Sequence, residues 1–189
     1  GRYANVVTSM EFERMLSASG PWGGHLTRRS PDHREPKKIA FLQCVGSRDV
    51  HEGAKAYCSG VCCTYAIKEA IVAKEHSKEP LDAAIFYIDM RTYGKDFERY
   101  FNDARAKGVC FIRSRVHTID QASETEDLRI SYIAEDGRVQ SEVFDMVVLS
   151  VGLESSPKAR ELAARLGIEL DKDHFVSTSS FDPVGTSVP

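Results

Sequence analysis

The order of its apolar segments constrains the fold of this chain more than any other feature. Short apolar runs of strand length alternate with two amphipathic helical segments. The apolar runs cover residues 39–44, 83–88 and 109–112, and the helical segments cover residues 61–76 and 97–107. Consecutive strand–helix–strand units form right-handed crossovers and therefore a parallel sheet. The sequence predicts an α/β domain.

The pattern changes after the third apolar run. Leu128, Ile130 and Tyr132 alternate with polar residues, and Asp136-Gly137 is a strong signal for a hairpin turn. An apolar strand over residues 144–151 follows this antiparallel insert. The fold class we predict is a Rossmann-like nucleotide-binding half, with a parallel sheet and an antiparallel β-hairpin or meander layer. The NAD domain of two-dinucleotide-binding flavoproteins has the same order of elements.

Two flanking segments differ from this central region, so we predict three parts: residues 1–37, 38–153 and 154–189. The first is irregular apart from a short helix over Ser9–Leu16. In the last, Pro157 is suited to the start of a helix and Gly167 to its end. We expect one more strand near residues 175–177.

Charge and cysteine usage exclude several classes of protein. The formal net charge of −3 lacks the basic excess of a nucleic-acid-binding protein. No apolar run approaches the roughly 20 residues of a membrane span. Of the five cysteines, four fall within residues 44–63. An odd number in a tight group is atypical of a secreted disulfide scaffold and indicates a reducing compartment, the cytoplasm.

The four grouped cysteines are the clearest candidate site. Their spacing is Cys44-x13-Cys58-x3-Cys62-Cys63, in which Cys44 ends the first strand and the adjacent pair opens the first helix. This junction lies at the carboxyl edge of a parallel sheet, where open α/β sheets bind ligands. Four thiolates are the usual ligands of an iron–sulfur cluster. A zinc site, a redox disulfide and buried thiols without a ligand remain alternatives.

The glycine-rich turn of a dinucleotide site is missing after the first strand. Residues 44–49 read CVGSRD, and the helix begins about ten residues too late for G-x-G-x-x-G. A module that binds NAD(P)H is therefore an alternative that this turn disfavours. Asp89, at the end of the second strand, could bind a ribose, but we interpret Asp89 and Arg91 as solvated loop residues.

The remaining notable side chains have ordinary structural interpretations. We predict that Cys110 is a small apolar residue inside a strand. We interpret His51 as a solvated residue, with a role as an alternative ligand left open. Two interpretations of Trp22 stay open, a cover for a ligand or a partner and an ordinary packing anchor. The basic residues of the N-terminal connector are predicted to be solvated. They are Arg28, Arg29, Arg34, Lys37 and Lys38.

Six motifs resemble one known family. They read FERMLSASGP at 12–21, KIAFLQCVGSRD at 38–49, YCSGVCC at 57–63, DMRTYG at 89–94, FDMVVLSVG at 144–152 and FDPVGTS at 181–187. These segments are similar to the A-type subunits of CoB–CoM heterodisulfide reductase, and equally to the flavoprotein subunits of the quinone-interacting oxidoreductase complex of sulfate reducers. The resemblance covers nearly the whole chain.

The resemblance implies an oxidoreductase with a thioredoxin-reductase-like core that binds FAD and iron–sulfur clusters. It implies that Cys44, Cys58, Cys62 and Cys63 ligate a [4Fe–4S] cluster. The chain would be an internal fragment, with the FAD site mostly outside it and with residues 1–37 and 154–189 leading to the flavin domain.

The function implied is electron transfer between FAD and other subunits of such a complex, with a second copy of the chain as a further candidate partner. No residue of the chain is expected to act as a catalytic acid, base or nucleophile. The two other functions that stay open are an NAD(P)H-binding module of a pyridine nucleotide–disulfide oxidoreductase and a structural zinc or docking module.

Overall fold

A computed structural model describes residues 2–122 and 125–188 of the chain. The strands are β1 (Val6–Thr8), β2 (Lys38–Val45), β3 (Asp82–Tyr87), β4 (Val109–Arg113), β5 (Ile119–Gln121), β6 (Leu128–Ile133), β7 (Val139–Phe144) and β8 (Met146–Val151). The helices are α1 (Ser9–Leu16), α2 (Cys62–His76), α3 (Phe97–Ala106) and α4 (Pro157–Leu166). The helices and the main strands lie close to their predicted positions.

Five strands form a parallel sheet in the order β1-β8-β2-β3-β4, and β5-β6-β7 form a separate antiparallel sheet. Successive side chains of β2 alternate between two cores, as the period of a strand requires. Ile39 and Phe41 pack on the side of α1, α2 and α3, whereas Ala40 and Leu42 pack against the antiparallel sheet. The predicted fold class, a parallel sheet with an antiparallel layer, is confirmed.

Aromatic side chains hold the antiparallel layer on the parallel sheet. The Phe86 ring, on β3, meets the Tyr132 ring edge to face at 5.0 Å between centroids and the Phe144 ring at 5.9 Å. Edge-to-face pairs of this kind stabilise a core by roughly 0.5–1.5 kcal/mol beyond the area they bury. The layer covers one face of the sheet and leaves its carboxyl edge accessible.

The N-terminal segment contributes a strand that the sequence pattern did not reveal. β1 pairs in parallel with β8, with Val7 opposite Val148. Helix α1 follows at once, and Thr8 and Glu11 form a capping box at its start. Such a box satisfies two backbone N–H groups that the first turn leaves free. The predicted division into residues 1–37, 38–153 and 154–189 remains a prediction.

The prediction that the basic connector is solvated is wrong for Arg28. Its side chain is 0% exposed, and its guanidinium lies 2.5 Å from the Asp127 carboxylate and 3.6 Å from that of Asp145. It also donates to the carbonyl of Thr125 at 2.8 Å. A charge can be buried only when it is paired and hydrogen-bonded, and Arg28 meets both conditions. It ties the N-terminal segment to the antiparallel insert.

Two further expectations differ from the structure. Cys110 is exposed, not buried. It lies on the edge strand β4, opposite Ala84. In place of the strand expected near residues 175–177 there is a single bridge between Leu170 and Val176. Among the described residues, no helix combines the length and the apolar character needed to cross a membrane.

Candidate metal centre formed by four cysteines

The first of the four cysteines leaves the regular ladder at the end of β2. The pairing of β2 with β8 shifts in register between Leu42 and Val45. Within this shift Cys44 has a φ of 61°, in the left-handed region that non-glycine residues seldom occupy. Such backbone strain persists only where the surrounding structure imposes it, and it is concentrated at functional sites.

The loop between β2 and α2 is a hydrogen-bonded structure that folds back toward Cys44. Lys55 N–H donates to the carbonyl of Gly46 at 2.9 Å, and Arg48 N–H donates to the carbonyl of Tyr57 at 3.2 Å. These bonds return the chain to the edge of the sheet immediately before Cys58. The loop thereby brings a second cysteine, separated from Cys44 by thirteen residues, into the same site.

The adjacent residues Cys62 and Cys63 begin helix α2, and their side chains contact the ends of two different strands. The sulfur of Cys62 lies 3.5 Å from the carbonyl oxygen of Val151, at the end of β8. The sulfur of Cys63 lies 3.9 Å from the carbonyl oxygen of Asp89, just beyond β3. Because β2 runs between β8 and β3, the two thiols lie on either side of the strand that carries Cys44.

All four cysteines line one small cavity at the carboxyl edge of the sheet. Burial raises the pKa of Cys44 and of Cys62, and it raises the pKa of Cys63 to about 11. The sulfur atoms also affect one another, since a negative charge on Cys58 raises the pKa of each of these thiols. The structure therefore brings the predicted site residues together.

Three charged residues complete the wall of the cavity. Arg48 and Arg91 line it, and both pair with the carboxylate of Asp89, Arg91 at 3.2 Å. Burial opposes ionisation of Asp89, but hydrogen bonds from Arg91 and Arg48 outweigh it and lower the pKa of this carboxyl. Asp89 and Arg91 lie in the loop after β3 with side chains 41% and 30% exposed, as expected for solvated loop residues, but they also form one ion-pair network with Arg48.

Gly152 allows the loop to approach the end of β8. A Cβ atom at this position would lie 2.4 Å from the Ser59 hydroxyl oxygen and 2.5 Å from that of Ser47. Leu153 N–H donates to the Ser59 hydroxyl at 2.8 Å, which fixes the segment between Cys58 and α2. Sequence reasoning missed Gly152 and Arg48, although both lie in the motifs that carry the family resemblance.

The remaining candidates lie outside the cavity. The imidazole of His51 is 84% exposed and contacts the carboxylate of Asp49 at 2.5 Å. Trp22 is half-buried and packs against the core, which agrees with the interpretation as a packing anchor. Within residues 2–122 and 125–188, no three histidine, cysteine or acidic side chains are arranged to hold a single metal ion, and this includes the four cysteines of the cavity.

The donor set fits an iron–sulfur cluster in its chemistry. Four thiols from neighbouring segments share a cavity, and soft thiolates are the ligands that iron–sulfur clusters take. The first turn of α2 has no side-chain cap. A helix N-terminus stabilises negative charge, including that of thiolates.

Comparison with known proteins gives several extensive matches. The chain is 41% identical over 194 residues to the A-type iron–sulfur subunit of CoB–CoM heterodisulfide reductase from Methanocaldococcus jannaschii. It is 40% identical over 195 residues to an A-type iron–sulfur subunit of the same enzyme from Methanopyrus kandleri. It is also 41% identical over 194 residues to the A-type subunit of H2/formate:CoB–CoM heterodisulfide,ferredoxin reductase from Methanococcus maripaludis. Each match takes in 100% of this chain and 29% of the relative.

No family model matches the chain. Among solved structures, thioredoxin reductase from T. acidophilum is similar over 98% of this chain and 47% of its own, with 12% sequence identity and a TM-score of 0.49.

Proposed function

We propose that this chain, which is homologous over its whole length to one segment of the A-type subunits of heterodisulfide reductase, holds a [4Fe–4S] cluster on Cys44, Cys58, Cys62 and Cys63. The identity of about 40% to three such proteins confirms the resemblance that the sequence motifs indicate. The chain spans 29% of the length of these relatives. The activity of a longer protein that contains it is part of this proposal.

The observation that supports the cluster most directly is the shared cavity of the four thiols. Cys44 comes from the end of β2, Cys58 from the returning loop, and Cys62 and Cys63 from the start of α2. Four cysteines brought together by three different segments are not needed for packing, because the sheet has its own apolar cores. Burial without metal leaves the thiols protonated, and binding of a cationic core would replace those protons.

The function follows from the position of the site within an oxidoreductase. A bound cluster would accept and donate single electrons between FAD and other subunits of a heterodisulfide-reductase-like or quinone-interacting complex. The residues of this chain bind and orient the cluster and limit its contact with water. None of them is needed as an acid, base or nucleophile.

This chain has the parallel sheet expected of an NAD(P)H-binding module but lacks the phosphate-binding turn of such a module. In such modules the helix begins directly after the glycine turn, so that its N-terminus meets the pyrophosphate. Here β2 ends at Val45 and α2 begins at Cys62, and the cysteine loop lies between them. We therefore prefer the cluster to the nucleotide.

Metal analysis of the anaerobically purified and reconstituted chain tests the proposal. We expect about four iron and four acid-labile sulfide per chain, as a cubane cluster contains, and a brown protein that absorbs broadly in the visible range. Stoichiometric zinc in a colourless protein would favour the structural zinc module. Absence of both metals after reconstitution would contradict any metal function of the four thiols.

A further inference from the structure

Two arginines lie beside the four-cysteine cavity without being candidate ligands. Arg48 and Arg91 line the cavity together with Asp89, which pairs with both. Arginine remains protonated in proteins, so two guanidinium groups and one carboxylate leave one net positive charge next to the sulfur atoms. This charge lies on the side of the cavity formed by the ends of β2 and β3.

Arg48 is held more firmly than an ordinary surface arginine. Its side chain is only 21% exposed, and its backbone has a φ of 55° within the hydrogen-bonded loop. Its N–H groups and charge act directly on Cys44, where they oppose the increase in pKa that burial causes. Because the guanidinium is largely shielded from solvent, its charge is weakly screened.

We propose that Arg48, anchored by Asp89, is a positioning residue that stabilises the reduced form of the bound cluster. The inference rests on the proposed function, since it requires a cluster on the four cysteines. Reduction adds one negative charge to the cluster, and a positive charge a few ångströms away lowers the free energy of that state. Net charge, hydrogen bonds to sulfur and solvent exposure set the potentials of such clusters. Arg91 adds to the same effect from the other side of Asp89.

The midpoint potential of the cluster measures this effect without any assay of activity. We expect a lower potential in Arg48→Gln than in the wild type, determined by redox titration of the loaded chain with visible and EPR spectroscopy. Arg48→Lys retains the charge and should remain closer to the wild type. Arg138→Gln removes the same charge from the turn between β6 and β7, where the side chain is 85% exposed, and should leave the potential unchanged.

The outcomes separate this inference from the proposed function. A fully loaded Arg48→Gln chain with the wild-type potential overturns the inference and leaves the cluster in place. If the Arg48→Gln chain does not bind a cluster, the midpoint potential of Arg91→Gln is measured instead. An unchanged potential in Arg91→Gln then overturns the inference. A wild-type chain that binds no cluster overturns the proposed function and this inference together.

Discussion

The thiol of Cys62 faces the carbonyl of Val151, and its neighbour Cys63 faces the carbonyl of Asp89. Adjacent residues at the start of a helix project about 100° apart. Here that divergence directs the two sulfur atoms toward the ends of β8 and β3, on either side of Cys44. A role in core packing would need only Cys63, whereas a shared cluster uses both.

We therefore expect each of four serine substitutions, at Cys44, Cys58, Cys62 and Cys63, to lower the reconstituted iron and sulfide content strongly. Serine replaces a soft thiolate by a much poorer ligand for iron. Cys110→Ser is the matched control, because Cys110 is exposed on β4 and should retain both the cluster and the stability of the wild type. A full cluster in Cys62→Ser, together with unfolding of Cys63→Ser, would identify Cys63 as a core residue only.

We expect NAD(P)H to bind weakly or not at all. The segment after β2 carries the cysteine loop where a dinucleotide site has its glycine turn, so few backbone N–H groups are available for a pyrophosphate. Isothermal titration of the anaerobic chain measures this directly. A dissociation constant in the low micromolar range, a binding free energy of about −8 kcal/mol, would favour the alternative that the chain is an NAD(P)H-binding module.

Loss of the buried guanidinium should destabilise the fold more than any change to the exposed connector. Arg28→Met removes the buried partner of Asp127 and Asp145, and Arg34 remains paired with both, at 2.8 Å and 2.7 Å. We therefore expect the free energy of unfolding to fall by about 3 kcal/mol, the lower end of the range for a broken buried pair. The control is Arg29→Met, since Arg29 pairs with Glu11 at the surface and such pairs contribute about 0–1 kcal/mol. Urea denaturation measures both variants, and similar losses in the two would contradict a special role for Arg28.

The buried carboxyl of Glu69 should make stability depend on pH. It is 2% exposed on α2, and burial raises its pKa to about 8. In the unfolded chain Glu69 ionises near the ordinary glutamate pKa of 4.5, while in the folded chain it keeps its proton. The folded state therefore loses stability as pH rises from about 4.5 to 8, with a slope of up to about 1.4 kcal/mol per pH unit.

Glu69→Gln removes this titration, so its free energy of unfolding should fall less than that of the wild type between those two pH values. Glu75, an exposed residue of the same helix that pairs with Lys107, provides the control Glu75→Gln. Denaturation at several pH values compares the three proteins. Parallel curves for the wild type and Glu69→Gln would show that Glu69 is ionised in the folded state.

Periodicity was sufficient to predict the elements that are buried along one face. Helix α2 has a continuous apolar stripe that includes Ala66 and Ala70, and the structure buries that stripe against the sheet. Strand β1 has only three residues, Val6–Thr8, and a run of that length carries no period. Its place is set by pairing with β8, which is distant in the sequence.

Side-chain partners were the least predictable feature. A connector rich in basic residues is expected to be solvated, but the carboxylates of Asp127 and Asp145, distant in the sequence, pair with Arg28 and allow its burial. Cys110 lies in an apolar run, but the sequence of that run does not show which side chains are exposed on an edge strand. The four cysteines could be predicted as a group because their spacing joins the end of one strand to the start of the next helix.

The position of β8 between β1 and β2 also has a consequence for biosynthesis. Val151, which contacts Cys62, follows it by 89 residues, so three cysteine-bearing segments leave the ribosome long before the sheet can close around them. Contacts between residues so far apart form late in folding, after the cost of closing a long loop has been met. Until β8 is inserted, the Cys62 thiol lacks its contact with the Val151 carbonyl. If the chain holds the proposed cluster, insertion of that cluster would therefore follow synthesis of the polypeptide through Val151.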